Sequence, residues 1–253
     1  MKKLTSLLFG LALVASNLST AAAQVAPSDN IERAKAYGLS KQVSLEEFIE
    51  TVPDFRADNP KSVYAKEAYG LFLTATREWT NPERWKRLEE LFVANGINAD
   101  SRRPSIIYPP NNGGFNNRMI EIKAGMIFDR YQSWVEEPAD PTQPFVPQFK
   151  GSFVAPVEAG GIYPFEARAL SGTEETYKLY YRIEIIKDLP YTGDLSDIIP
   201  WFGQPGLGKQ VKVNLPLGMT WNQLAAQGYV KITWLYSPSY TYRVVGGNQI
   251  VKQ

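Results

Sequence analysis

Ile199-Pro200-Trp201-Phe202-Gly203-Gln204-Pro205-Gly206-Leu207-Gly208-Lys209-Gln210 places three glycines, two prolines and two aromatics within twelve residues. Proline removes ladder donors, and glycine serves positive φ or close backbone approach. The stretch therefore reads as neither a helix nor a regular central strand. It reads as a preorganised loop ending in a carboxamide, and loops of that kind more often hold ligands than merely connect elements. On both sides the chain turns to β. Upstream, Tyr177 to Ile186 has β-branched and aromatic residues along its length. Downstream, Val211 to Leu215 and Tyr229 to Tyr236 are further strand candidates. Tyr240 to Val245, Gly246-Gly247 and Asn248 to Val251 read as a terminal hairpin. Met219 to Gly228 reads as a short helix stopped by glycine.

Further out, residues 31–100 read as helical. Ser44 and Glu47 have the spacing of a capping box. Asn59-Pro60 marks another start, followed by Val63, Ala68, Leu71 and Phe72 near helical spacing. Over 82–95 Asn81 caps, Pro82 opens, Gly96 stops, and Trp85, Leu88, Leu91 and Phe92 form one apolar stripe. That stripe reads as core. The segment from Glu136 to Lys150 is long and carries four prolines, so it reads as a lid or an insertion. The expected fold class is α+β: a helical N-terminal segment packed on a small, twisted, mainly antiparallel sheet. The expected division is 1–23, 24–100 and 101–253.

Residues 1–23 have the pattern of an export signal. Lys2-Lys3 precede an apolar run from Leu4 to Leu18, and Ala21-Ala22-Ala23 supply small residues for cleavage. The run is short for a membrane span and no basic stop follows it. Loss of Lys2 and Lys3 leaves 25 basic against 26 acidic residues, a formal charge of −1. That balance gives no electrostatic reason to expect a nucleic acid or an anionic membrane as partner. The chain has no Cys and no His. This excludes a cysteine nucleophile, a Ser-His-Asp triad and a His-ligated zinc. An exported chain of this composition is held by its core, not by disulfides.

Seven elements in order carry a family resemblance over roughly Tyr108 to Ile232. They include Tyr108-Pro109-Pro110-Asn111-Asn112-Gly113-Gly114-Phe115, Phe128-Asp129-Arg130-Tyr131 and Gly151-Ser152-Phe153-Val154-Ala155-Pro156. Pro164-Phe165-Glu166-Ala167-Arg168-Ala169-Leu170, Tyr177-Lys178-Leu179-Tyr180 and the run from Pro200 to Gln210 follow, and Gly228-Tyr229 closes the set. Together they resemble the tuberculosis-necrotizing-toxin (TNT) domain family and its secreted fungal NADase relatives. The resemblance implies an NAD(P)⁺ glycohydrolase that releases nicotinamide and leaves ADP-ribose. It implies dinucleotide binding by Arg130 and Arg168, with Arg168 also catalytic. Gln210 becomes the essential carboxamide, since family spacing places it 42 positions after Arg168 and passes over Gln204. Phe153, Tyr131, Trp201, Phe202 and Gly208 are its further candidates for the substrate site. NAD⁺ or NADP⁺ is then substrate, with no cofactor, and an immunity protein is an implied partner; the chain shows no acidic calcium loop like that suspected in the fungal relatives, so no metal is expected.

These residue types suit that chemistry. Guanidinium groups give a pyrophosphate planar bidentate donors. Nicotinamide departs neutral from a cationic nitrogen, so no strong acid is needed, and an oxocarbenium-like sugar remains to be stabilised. An aromatic pocket with an aimed carbonyl dipole can do that. Three departures from the family stand out. Lys178 occupies a place where toxin relatives carry histidine, Leu207 and Lys209 enter the glycine-rich loop, and the insertion before Gly151 is long. Two other functions fit less well. A mono-ADP-ribosyltransferase would want a carboxylate near the acceptor, and no Glu-x-Glu or Gln-x-Glu element lies on the glycine-rich side. A non-catalytic binding domain rests on the Tyr and Trp content and the near-neutral charge.

Overall fold

The computed structural model describes residues 43–159 and 161–253. The export signal expected at 1–23 and the first part of the helical region lie outside the described residues. Helix α1 (Leu45–Thr51) begins at the anticipated capping box: the Glu47 N–H donates to Ser44 Oγ and the Ser44 N–H to the Glu47 carboxylate. Two 3₁₀ turns, Pro53–Phe55 and Pro60–Tyr64, lead into α2 (Ala65–Arg77). Helix α3 (Pro82–Asn95) has the limits expected from Asn81, Pro82 and Gly96, with Gly96 left-handed at φ 58°.

The β region starts with a small ladder of β1 (Ala99–Asp100) and β2 (Arg103–Ile107). The main sheet contains β3 (Gly114–Glu121), β4 (Ile127–Gln132), β5 (Phe153–Pro156), β6 (Leu179–Ile185), β7 (Thr192–Ile198), β8 (Lys209–Val213) and β9 (Val230–Tyr236). Their order is β3-β7-β8-β5-β4-β6-β9 and every pairing is antiparallel. Helix α4 (Trp221–Ala226) precedes β9, and β10 (Tyr242–Gly246) with β11 (Gln249–Lys252) form the terminal hairpin. The fold is α+β, as expected.

Two sequence expectations are corrected. The end of the glycine-rich run is not loop: Lys209 and Gln210 open β8, a central strand, with Gln210 opposite Ser196. The proline-rich segment 136–150 is no lid. Phe145 exchanges backbone hydrogen bonds with Ile250 at 3.0 and 2.9 Å. Asn222 accepts from the Phe149 N–H and donates to the Pro147 carbonyl. Phe149 itself is buried against Tyr181. The prolines thus stiffen a strap across the sheet's core.

Burial ties the helices to the sheet. One hydrophobic cluster joins Phe48, Phe72, Trp85 and Phe92 of the helices to Phe115, Ile198, Ile199 and Trp201. Phe92 meets Trp201 edge to face at 5.6 Å, and the Trp201 indole N–H donates to the Ile107 carbonyl at 2.9 Å. The helical region and the sheet therefore share a core across the expected boundary near residue 100. Phe48→Ala removes a fully buried ring from it, at a cost of about 3–5 kcal/mol. Denaturant unfolding followed by fluorescence and circular dichroism is expected to show one transition, shifted as a whole. An earlier, separate helical transition would contradict the shared core.

Candidate active site

A cavity of about 1220 Å³ opens between the helices and the sheet. Drug-sized pockets occupy about 300–1,000 Å³, so an extended ligand fits. Its walls come from α1, the 108–117 turn, the end of β4, the 151–153 entry to β5, the 168–171 turn and the start of β8. Gln210, Arg168, Arg130, Phe153, Tyr131 and Phe202 all line it. Residues scattered over eighty positions thus converge on one hollow. Trp201 does not line it, and neither does Gly208. Trp201 is 1% exposed and acts as core. At Gly208 a Cβ would stand 2.6 Å from the Ala167 carbonyl oxygen, so glycine there permits close approach of the loop to the turn that carries Arg168.

The Gln210 side chain has a fixed sense. Its Nε2 donates to the Asn112 carbonyl at 2.9 Å. A carbonyl can only accept, so the amide nitrogen faces the turn and Oε1 is the free acceptor. The turn itself is unusual. Asn111, Asn112 and Gly113 are consecutively left-handed, at φ 50°, 53° and 72°. Asn111 Nδ2 braces it by donating to the Gly114 carbonyl at 2.7 Å. Asparagine tolerates this backbone better than other side-chain-bearing residues. Phe202, at φ 53°, and Gly203, at φ 69°, form a tight primed turn closed by the Gln204 N–H on the Trp201 carbonyl. Eight described non-glycine residues have positive φ. Six of them line this cavity: Asn98, Asn111, Asn112, Asn116, Ala169 and Phe202. Strained backbone costs of order 1–3 kcal/mol per residue and gathers at functional sites, so the clustering marks the hollow independently of side-chain chemistry.

The two arginines differ. Arg130 donates from Nη1 to the Phe153 carbonyl, and its guanidinium lies where a Cβ at Gly151 would fall. Its buried Nε has no acceptor among the described residues. Arg168 is committed. Nη1 pairs with Asp129, while Nε and Nη2 donate to the Tyr163 carbonyl at 3.1 and 3.0 Å. Its guanidinium lies 5.0 Å from the Tyr131 ring centroid. Asp129, 0% exposed, also accepts from the Tyr180 hydroxyl at 2.9 Å. Burial alone would lower the Arg168 pKa; the Asp129 charge reverses this and raises it. Burial pushes the Tyr131 phenol up, helped by its hydrogen bond to Glu174. Burial likewise raises Tyr177.

Sequence reasoning missed several wall residues. Tyr108 meets Phe202 edge to face, and Trp134 stands half exposed at the rim with Lys150 over its ring at 5.2 Å. Val43, Glu47, Glu50, Thr51 and Pro53 also line the cavity, so the first helical segment is a wall of the hollow. Lys178 lies outside it, with Nζ on the Thr241 hydroxyl at 3.0 Å.

Residues 121–232 match the model of the Tuberculosis necrotizing toxin family, TNT. The match covers less than half of the chain, and over that segment the chain is similar to the TNT family. The matched segment runs from the end of β3 into β9 and includes Arg130, Phe153, Arg168 and Gln210. The Asn111–Gly113 turn that holds Gln210, and all of α1, precede it. Among solved structures, tuberculosis necrotizing toxin complexed with its immunity factor IFT is similar at 24% identity, with a TM-score of 0.36. That likeness covers 49% of this chain and 60% of the other, so it spans less than two thirds of that toxin chain. No curated protein matches.

The buried Asp129–Arg168 pair is costly to break. Asp129→Ala leaves a buried guanidinium without its carboxylate, which destabilises by about 3–5 kcal/mol. A fall in melting temperature is expected at neutral pH; an unchanged one would show that the cation is hydrated there.

Proposed function

We propose that this chain is an exported NAD(P)⁺ glycohydrolase, with the dinucleotide as substrate and no cofactor. The observation that carries the reading is the Gln210 amide, pinned by Asn112 so that its oxygen is free in the same cavity as Arg130 and Arg168. The TNT family match supports it. Arg130, whose side chain lines the cavity, takes the pyrophosphate. Arg168 presents what its bonds to Asp129 and Tyr163 leave free. Phe153, Tyr131 and Phe202 give the aromatic walls.

In the reaction the bond from ribose C1′ to the nicotinamide nitrogen breaks, and its electron pair neutralises the departing ring. The ribosyl group becomes oxocarbenium-like. Gln210 Oε1 turns its negative dipole end toward that charge. Water adds its oxygen to C1′ and releases one proton to solvent, giving ADP-ribose. The second Nε2 hydrogen is free for a ribose hydroxyl. By analogy with the toxin solved with its immunity factor, a protein inhibitor closing this cavity is the natural partner. No described helix is long and apolar enough to cross a membrane.

Purified chain and NAD⁺ should yield nicotinamide and ADP-ribose, separable by chromatography. Gln210→Ala should reduce turnover by at least about 100-fold, the loss typical of removing one transition-state group, with little change in melting temperature. No release by a folded chain would refute the reading. A full rate in the variant would refute the residue assignment.

The pH profile is a second test. The chain has no histidine, the side chain that ordinarily titrates between about pH 5 and 8. Tyr131 and Tyr177 are pushed upward, so their phenols stay protonated through neutrality. Turnover should be flat from about pH 6 to about pH 8.5. A bell centred near neutrality would demand a titrating group that this scheme lacks.

A further inference from the structure

The chain leaves β4 along the cavity wall, and the sheet fixes where that exit stands relative to Gln210. Strands β8, β5 and β4 are successive neighbours, so β8 and β4 lie about 10 Å apart at ~4.8 Å per strand. Asp129 pairs with Ala155 and the adjacent Val154 pairs with Val211, so Asp129 and the start of β8 are nearly level. Both strands are antiparallel to β5 and so run the same way. Gln132 ends β4 three residues beyond Asp129, about 10 Å further along at ~3.3 Å per residue. The end of β4 is therefore about 14 Å across the diagonal from the start of β8, where Gln210 stands. The Arg130 guanidinium, against Gly151 and the Phe153 carbonyl at the entry to β5, belongs to the strand between.

At the far end one buried carboxamide pins the wall. Gln132 Nε2 donates to the Trp134 and Gln148 carbonyls at 2.9 and 3.0 Å, and its Oε1 accepts from the Lys150 N–H at 3.0 Å. Both ends of the segment between β4 and β5 are thereby tied to β4. The tie brings Lys150 Nζ to 5.2 Å from the Trp134 ring centroid, and Glu136 holds that lysine at 2.9 Å. Trp134 nevertheless stays 48% exposed and lines the cavity. A large flat ring, fixed in place by buried hydrogen bonds and left half open, is a stacking surface with no protein ring upon it among the described residues.

A dinucleotide brings two rings to the hollow. With its scissile ribose at Gln210 and its pyrophosphate at Arg130, the second ring falls toward the end of β4, where Trp134 stands. Tyr108 and Phe202, which also line the cavity, adjoin the turn and the loop that hold Gln210, so they serve the nicotinamide end. We propose that Trp134 stacks on the adenine of the dinucleotide and is a specificity-determining residue for substrates that carry that base. This rests on the glycohydrolase reading of the site and names the group that recognises the half of the substrate remote from the broken bond. Trp134 belongs to the long segment before Gly151 that departs from the family elements, so none of those elements supplies this contact.

Calorimetry on the full chain tests the stacking surface with AMP, which carries adenine and a phosphate but no scissile bond. Trp134→Ala should weaken AMP about tenfold, within the usual worth of stacking a base on an aromatic side chain. Trp134→Phe should weaken it less than about threefold, because a smaller ring still stacks. With NAD⁺, Trp134→Ala should raise KM by a similar factor and leave kcat within about twofold. With nicotinamide mononucleotide, which keeps the scissile bond and lacks adenine, neither constant should move by more than about twofold. An unchanged melting temperature for the variant separates lost stacking from a lost fold. Absence of AMP binding to the unsubstituted chain, equal AMP binding by Trp134→Ala, a loss confined to kcat, or equal losses on both substrates overturns the inference. Nicotinamide release from NAD⁺ would leave the glycohydrolase reading standing in each of those cases. AMP binding that responds to Trp134, with no nicotinamide release, would keep the stacking surface and sink the glycohydrolase reading.

Discussion

The buried pairing of Arg168 with Asp129 sets the geometry of the whole site. Asp129 projects from β4, between β5 and β6, and Arg168 ends a short 3₁₀ turn with no sheet partner of its own. The ion pair and the Tyr163 carbonyl fasten that turn to the sheet. The turn in turn fixes the glycine-rich run, because Glu166 accepts from the Gly206 N–H and Ala167 from the Gly208 N–H. From Gly208 the chain passes directly into β8 and Gln210. A charge pair under the aromatic rings thus locates a carboxamide two residues past the loop it supports. A hydrophobic pair could fill the same volume, but it could not supply the directional bonds to Tyr163 and Tyr180.

Local signals made much of the fold legible. Ser44 with Glu47, Asn81 with Pro82, and Gly96 act on backbone within one helical turn, and the helices begin or end where those residues stand. The aromatic and β-branched run through Leu179–Ile185 became a strand for equally local reasons. What failed was non-local. Gln210 belongs to a strand because Ser196 lies opposite it, and nothing in its own dodecapeptide reports that pairing. Trp201 sits in an aromatic loop motif, yet Ile107 and Phe92 claim it for the core. In the proline-rich strap the informative residues were Phe145 and Phe149, apolar groups that an open lid would have no reason to carry.

The site was legible in kind but not in detail. Arg130, Phe153, Tyr131 and Gln210 stood out through family elements, and they share one hollow. The commitment of Arg168 to Asp129 could be suspected from one acidic neighbour, but its degree is a matter of burial. The α1 wall left only an amphipathic trace: Glu47 and Glu50 on one side, Phe48 on another. Such a pattern ordinarily means core facing solvent. Packing of α1 on the Asn111–Gly113 turn brings those exposed carboxylates to the edge of the hollow. The backbone strain was hinted at by paired asparagines, which accept left-handed geometry more cheaply than most residues.

The span of chain that encloses the hollow has a consequence for biosynthesis. Its walls run from Val43 to Gln210, and the cluster beneath them joins Phe48 to Trp201. Contacts of such long separation form late and slowly. A nascent polypeptide that has not yet delivered β8 holds no enclosed binding space, whatever its early helices have done. The enclosed space is therefore a property of the finished fold, reached only once the last wall has emerged.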